Sequence, residues 1–442
     1  MSTDLTADSP ISWTQRHRLG QMVLERKTGI YRPHHAVEPV TVSGPLDLAA
    51  LDRAWRRVQG RHPVVLCGFD LSRAPDFTWR LDDPAEPGEL VTLPSLPDEA
   101  VATAVLKAVE APFDLRTGPL TRLVVAPIAP RVHVLALAVD HVLADFWSLD
   151  VLMRDLCGFY AEESGLAAPP RPPIPLTFPD YARRQNAYLE SAAGIGALEA
   201  IGERLEATGA IPVTQIAGFT GAAVAGYDNN GVVKGRIDAE LTADIRMVAR
   251  RTRMSMWTFI HAALHWSLTE LSDEPVAATT MQTANRESTE VHQTIGWLAG
   301  KVVVPSSPGD APDTPEFLRS FAASVMDSLD GSDVPWPRVI AEYEPVAFGR
   351  HCPLPYVGFN PQSVSMRRQL GGWSFPGCRI APFDYAGSTP DPALLMSLIE
   401  TDADIGVSIY HRADWYPADA AGNLWQTVEH RLRAWVKESG VH

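Results

Sequence analysis

Histidine ordinarily titrates nearest neutrality, so a positioned neutral imidazole is the natural proton acceptor for an attacking amine or alcohol. Of the thirteen histidines, His141 has the setting that such chemistry needs. It closes an apolar run, stands beside Asp140 and precedes Asp145 by four residues, so packing and a neighbouring carboxylate are both available to hold its ring. Asp140 strengthens it as a base only if the two side chains share a face. If the chain stays extended there, consecutive side chains alternate and Asp140 does nothing for the ring; the sequence leaves both outcomes open. A serine, cysteine or threonine nucleophile would also need such a base, but no GxSxG elbow accompanies it. The plain structural alternative is a hydrogen-bonded histidine at a strand end, with Asp145 as a helix N-cap.

The elements around these residues follow from hydrophobic periodicity. RVHVLALAV, residues 131 to 139, is an almost unbroken apolar run with β-branched valines, which predicts a strand buried on both faces at the centre of a sheet. Phe146, Leu149, Leu152, Met153, Leu156, Phe159 and Tyr160 then mark one face of a helix that ends near Gly165. His141 to Asp145 therefore occupy a strand-to-helix connection, where folds commonly present reactive groups. Upstream, Leu48, Leu51, Trp55 and Val58 predict an amphipathic helix with Arg53, Arg56 and Arg57 on its other side. The prolines of AAPPRPPIPLTFP predict an extended linker, dividing a lobe of residues 1–175 from one of residues 176–442. Helical patterns in DYARRQNAYLESAA, LTADIRMVARRT, MWTFIHAALHWSLTEL and AAGNLWQTVEHRLRAWVKE alternate with the strand-like KVVVP, LPYVGFN and ADIGVSIY. The mixture predicts an α/β (α+β) architecture.

Bulk properties narrow the function further. A chain of 442 residues with 45% apolar content suffices for two hydrophobic cores. A net charge of -15 repels a phosphate backbone, so no nucleic-acid partner is expected. Cys67, Cys157, Cys352 and Cys378 are scattered without a CxxC pair, which fits reduced thiols rather than a disulfide framework. The start carries no basic and apolar leader, and no apolar run has membrane-spanning length, so a cytoplasmic protein without a membrane partner is expected. His261 and His265 stand four apart on one helical face, but HAALH lacks the glutamate of HExxH and a third ligand, so no metal is expected. No GxxxxGK[ST] loop or GxGxxG fingerprint occurs, so nucleotide-dependent activation must happen elsewhere.

DHVLADFWSLDVLMRDL resembles the HHxxxDG signature, followed by WS and a leucine-rich helix, of the condensation domains of nonribosomal peptide synthetases. His141 matches the second histidine and Asp145 the aspartate. Other matches come in family order: SWTQRHRL, SGPLDLAALDRAWRRVQGRHP, APFDLRTGPLTRLVV, then FPDYARRQ and ANRESTEVHQTIGWLAGKVVVP. The resemblance spans nearly the whole chain. No single motif is decisive; the ordered set is.

The resemblance implies two chloramphenicol acetyltransferase-like αβ lobes forming a V-shaped pseudodimer with a central tunnel. It implies a free-standing condensation enzyme that transfers an acyl group from a carrier-protein thioester to an amine or alcohol, with an acyl or peptidyl carrier protein acting in trans. His141 would orient or deprotonate the acceptor, Asp145 would pair with Arg286 of the NR motif, and no cofactor beyond the substrate's own phosphopantetheine arm would be required. Two positions depart from the signature. Asp140 replaces the first histidine, and Phe146 replaces the glycine after Asp145, a bulk that would narrow the tunnel, select a small substrate or close the site. The family also contains silent members that recruit other enzymes, and coenzyme A presents the same pantetheine arm as a carrier; both remain alternatives. Arg53, Arg56 and Arg57 are a solvated face or a landing place for an acidic carrier. LGGWS, ending at Ser374, imitates a carrier attachment site, but FPGCRIAPF cannot start the helix such a site needs.

Overall fold

In the computed structural model, the strand foreseen at residues 131–139 runs from Val132 to Asp140 and organises the first of two compact units. The residues described are 9–28, 34–72, 74–207, 215–220, 230–272, 274–310, 314–345, 356–362, 373–383, 393–401 and 403–440. The first unit comprises residues 1–190, 284–299 and 368–388, and the second holds the remainder. The proline-rich segment is free of helix and strand from Ser164 to Thr177, as its composition demands. The division, however, is not the contiguous one expected at residue 175. The helix after the prolines stays with the first unit, and two later segments return to it.

Elements of the first unit are α1 (Trp13–Thr28), β1 (His35–Ser43), α2 (Leu48–Arg61), β2 (Gly68–Asp70), β3 (Thr78–Arg80), β4 (Val91–Thr92), α3 (Asp98–Val109), β5 (Thr121–Ala129), β6 (Val132–Asp140), α4 (Phe146–Glu163), α5 (Phe178–Leu189) and the late strand β11 (Arg379–Pro382). The main sheet has the order β11-β1-β6-β5-β4. Strand β6 is antiparallel to both β1 and β5 and buried on both faces. Its alternation feeds two cores. Leu135, Leu137 and Val139 join the side chains of α2 and α4, whereas Val134, Ala136 and Ala138 join Val101, Val105 and Val109 of α3. This division decides which way Asp140 points.

The second unit has α6 (Ala192–Ala207), β7 (Asn230–Ile237), α7 (Ala239–Arg251), α8 (Met256–Leu271), β8 (Ala277–Thr283), β9 (Gly300–Ser306), α9 (Thr314–Leu329), α10 (Trp336–Tyr343), β10 (Val357–Gln362), β12 (Leu394–Glu400), β13 (Ile405–Arg412) and α11 (Ala418–Glu438). Its sheet runs β7-β13-β12-β10-β8-β9, with β10 parallel to both neighbours. Helix α8 is apolar nearly all round because it is buried between that sheet and other helices, including α11. Each unit is thus a mixed sheet covered by helices with its own core.

Candidate active site

Asp145 is the N-cap of α4. Its Oδ1 accepts from the backbone N–H of Ser148 at 2.9 Å and from the Ser148 hydroxyl at 2.8 Å. Arg286 Nη2 donates to both carboxylate oxygens, at 2.9 and 3.1 Å, and the backbone N–H groups of Leu298 and Ala299 donate to Oδ2. Burial alone would push this carboxyl pKa up, but the Arg286 charge and the Ser148 bonds outweigh it and hold the group below its ordinary value. Arg286 Nη1 donates to the carbonyls of Val291 and Thr294. One guanidinium therefore closes residues 286–296 onto themselves and onto the start of α4. Both side chains are sealed from solvent.

That network carries Trp297 to His141. The indole centroid lies 4.1 Å from the imidazole centroid. On the strand side, His141 N–H donates to the His34 carbonyl at 2.8 Å, and the His34 ring stacks on His141 at 4.6 Å with 22° between planes. Trp297 also meets His34 edge-on, at 5.3 Å. Below the connection, α1 contributes Gln15, whose amide donates to the Val142 carbonyl. His141 Nδ1 is buried without a hydrogen bond of normal geometry, while the residue as a whole keeps part of its surface accessible.

Burial lowers the His141 pKa and outweighs its own backbone carbonyl, Asp145 and Asp140, which all raise it; Arg18 adds to the lowering. The ring is consequently neutral at pH 7. Neither His34 nor Trp297 was singled out by sequence reasoning. The histidine pair His34–His35 at the start of β1 and the tryptophan inside TIGWLAG were the available signals, but only the pairing of β1 with β6 brings His34 to residue 141, and only the Asp145–Arg286 network brings Trp297 there.

Asp140 lies on the other face. Its Oδ1 accepts from Val142 N–H, and Oδ2 is 3.9 Å from His35 Nε2. His35 Nδ1 in turn sits 2.7 Å from the Val109 carbonyl of α3. The alternation along β6 thus turns Asp140 toward α3, and its influence on His141 is through-space and minor. Phe146 occupies the first turn of α4 with 55% of its surface exposed, so the ring is not packed away as a plug in the core.

The remaining features have structural partners. Arg53 and Arg57 pair with Glu163, Arg57 also with Glu162, and Arg56 with Asp52 and Glu89. Their charge is balanced locally. His261 and His265 are buried on α8, with Nε2 atoms 2.6 and 2.9 Å from the Thr279 hydroxyl, and His265 Nδ1 is 2.8 Å from Ser306 Oγ. Of LGGWS, residues 370–372 lie outside the described residues; Trp373 donates to Asp150 at 3.0 Å, and exposed Ser374 leads into a turn and β11. Cys67, Cys157 and Cys378 are free thiols, and Cys352 lies outside the described residues. Among the described residues, no helix is long and apolar enough to cross a membrane.

Comparison with known proteins identifies the family and the fold. A family model described as condensation domain matches residues 9–352. Chondramide synthase of Chondromyces crocatus is 26% identical over 406 residues, which cover 90% of this chain and 10% of that protein. Phosphinothricin tripeptide synthetase PhsB of Streptomyces viridochromogenes is 28% identical over 424 residues, covering 94% and 34% respectively. The chain thus spans only a tenth to a third of the length of these relatives. Among solved structures, the X-domain in its complex with OxyB from teicoplanin biosynthesis shares the fold with a TM-score of 0.84 at 22% identity, over 99% of this chain and 95% of that one. With that family model covering most of its length, and with a mixed α/β fold of the chloramphenicol acetyltransferase-like kind, the chain belongs to the condensation-domain family of nonribosomal peptide synthetases.

Proposed function

We propose that this chain is an acyltransferase of the condensation type, joining an acyl group from a carrier-protein phosphopantetheine thioester to an amine or alcohol in natural-product biosynthesis. The observation that carries the reading is His141: a ring packed against His34 and Trp297 that keeps an accessible surface, its pKa lowered by burial. With Nδ1 buried, Nε2 is the nitrogen assigned as the acceptor. The acceptor nitrogen or oxygen attacks the thioester carbonyl and passes its proton to Nε2. The C–N or C–O bond forms, the C–S bond breaks, and the proton goes on to the departing thiolate. A thioester is already activated, so alignment supplies most of the acceleration and proton removal the rest. Asp145 and Arg286 act through architecture, by holding the segment that carries Trp297.

One observation favours a second reading. Phe146 places an exposed apolar ring at the start of α4, where the family signature has glycine. An exposed aromatic ring suits contact with a protein partner, and a silent domain recruiting a carrier or a tailoring enzyme would use it that way.

The test is product formation followed by mass spectrometry, with acyl groups offered on carrier proteins or on coenzyme A to a panel of amines and alcohols. Product that disappears in a folded His141→Ala variant supports condensation, and the productive donor separates carrier from coenzyme A. Carrier or partner binding without any product supports recruitment.

A further inference from the structure

The residue before His141 is Asp140, which β6 turns away from the ring toward His35 and α3. The ring facing His141 comes instead from the neighbouring chain segment. His34 immediately precedes β1, and the antiparallel pairing that sets His35 opposite Asp140 sets His34 opposite His141. Their rings stack at 4.6 Å, and Trp297 packs against both. We propose that His34 is a positioning residue for His141, fixing its ring plane together with Trp297 and resisting a second proton on the stacked pair.

The physical grounds are geometric and electrostatic. A side chain packed against two neighbouring rings, which also touch each other, loses alternative rotamers, so its free nitrogen keeps one direction. Two imidazoles this close cannot both carry a proton without like-charge repulsion, so they titrate as a coupled pair. Three charged side chains bear on the His141 ring. Arg18 of α1, itself paired with Glu25, disfavours its protonated form, while Asp140 at the end of β6 and Asp145 at the start of α4 favour it. Asp145 is committed to Arg286, so its field is largely compensated. His34 is the imidazole in ring contact with His141, so a proton on either ring would repel one on the other.

The inference rests on the condensation reading only where activity is measured. Its primary test needs no substrate: NMR titration of the His141 imidazole in the wild type, His34→Phe and His34→Ala, with folding checked by circular dichroism. Phenylalanine keeps a stacking ring and removes the competing charge, so the apparent His141 pKa is expected to rise by about one unit. In turnover assays, the acid limb of His34→Phe should move to higher pH. His34→Ala should lose roughly tenfold in kcat with KM little changed, because the ring is no longer held. An unchanged His141 titration in folded His34→Phe overturns the proposal. A shifted titration with no product from any donor leaves the positioning role standing and overturns the condensation reading instead.

Discussion

Arg286 Nη2 bridges both carboxylate oxygens of Asp145, and the second of those oxygens also accepts from the backbone of Leu298 and Ala299. The residue just before Leu298 is Trp297, the indole against His141. A buried ion pair is thereby tied to the His141 ring through the backbone beside Trp297. Arg286→Ala would leave the carboxylate buried and unpaired, and a loss of about 3 to 5 kcal/mol of stability is expected. Urea unfolding of the variant checks this. A loss below 1 kcal/mol would mean that solvent reaches Asp145 easily, against the burial seen here.

His141 contributes differently. Its Nδ1 lacks a normal hydrogen bond and the residue is not fully enclosed, so truncation orphans no buried partner. His141→Ala should stay folded with a melting temperature close to wild type, yet lose roughly 10²- to 10⁴-fold in kcat. Because burial holds the imidazole pKa below 6.5, the base form persists on acidification, and the acid limb of the kcat/KM profile should lie below pH 6.5. A limb at or above pH 7 would show that the titrating group is another one.

The contrast between these two sites explains how much was legible in the sequence. Strand β6, helix α4 and the connection between them follow from local periodicity, because each buries a contiguous face. Asp145 as N-cap is equally local. Its ion pair with Arg286 spans 141 residues and was reachable only through the motif order that the resemblance implied. His34 lies more than a hundred residues from His141, and no spacing rule predicts a contact made by antiparallel register. Asp140 shows the limit from the other side: alternation was known, but which face α3 covers was not. The domain boundary failed for the same reason. Residues 284–299 and 368–388 join the first unit through packing that a linear reading of composition cannot register.

Gly296 tests how tightly the 286–299 segment is fitted. A Cβ built there would come within 2.5 Å of the Phe178 ring, which is itself buried at the start of α5. Ser148 Oγ meanwhile accepts from the Gly296 backbone N–H at 3.1 Å, and Arg286 Nη2 donates to the Gly296 carbonyl at 3.2 Å. Neither ring nor backbone has room to yield. Gly296→Ala should cost about 1 to 3 kcal/mol and, by displacing the adjacent Trp297, reduce kcat more than binding. If the variant matches wild type in both stability and turnover, Trp297 is not held by this packing.

The buried pair on α8 makes the second unit sensitive to acid. Burial lowers the His265 pKa to about 3, and burial together with the proximity of His265 lowers that of His261 well below its ordinary value. In the unfolded chain both titrate near 6.5. Between the folded and unfolded values the unfolded chain binds more protons, so stability rises with pH through that window and is lost as pH falls below about 6.5. The expected slope is about 1.4 kcal/mol per pH unit for each histidine, or roughly 2 kcal/mol each between pH 6.5 and 5. His265→Gln keeps a polar partner for Thr279 and Ser306 but does not titrate, and carboxylates elsewhere contribute equally to both proteins. Urea midpoints measured from pH 7.5 to 5 should therefore fall less steeply in His265→Gln than in wild type, with the curves converging toward neutral pH once the constant cost of the substitution is subtracted. Parallel curves would mean that His265 is protonated as easily in the native state as in the unfolded chain, which its contacts with Phe321 and His261 in the core oppose.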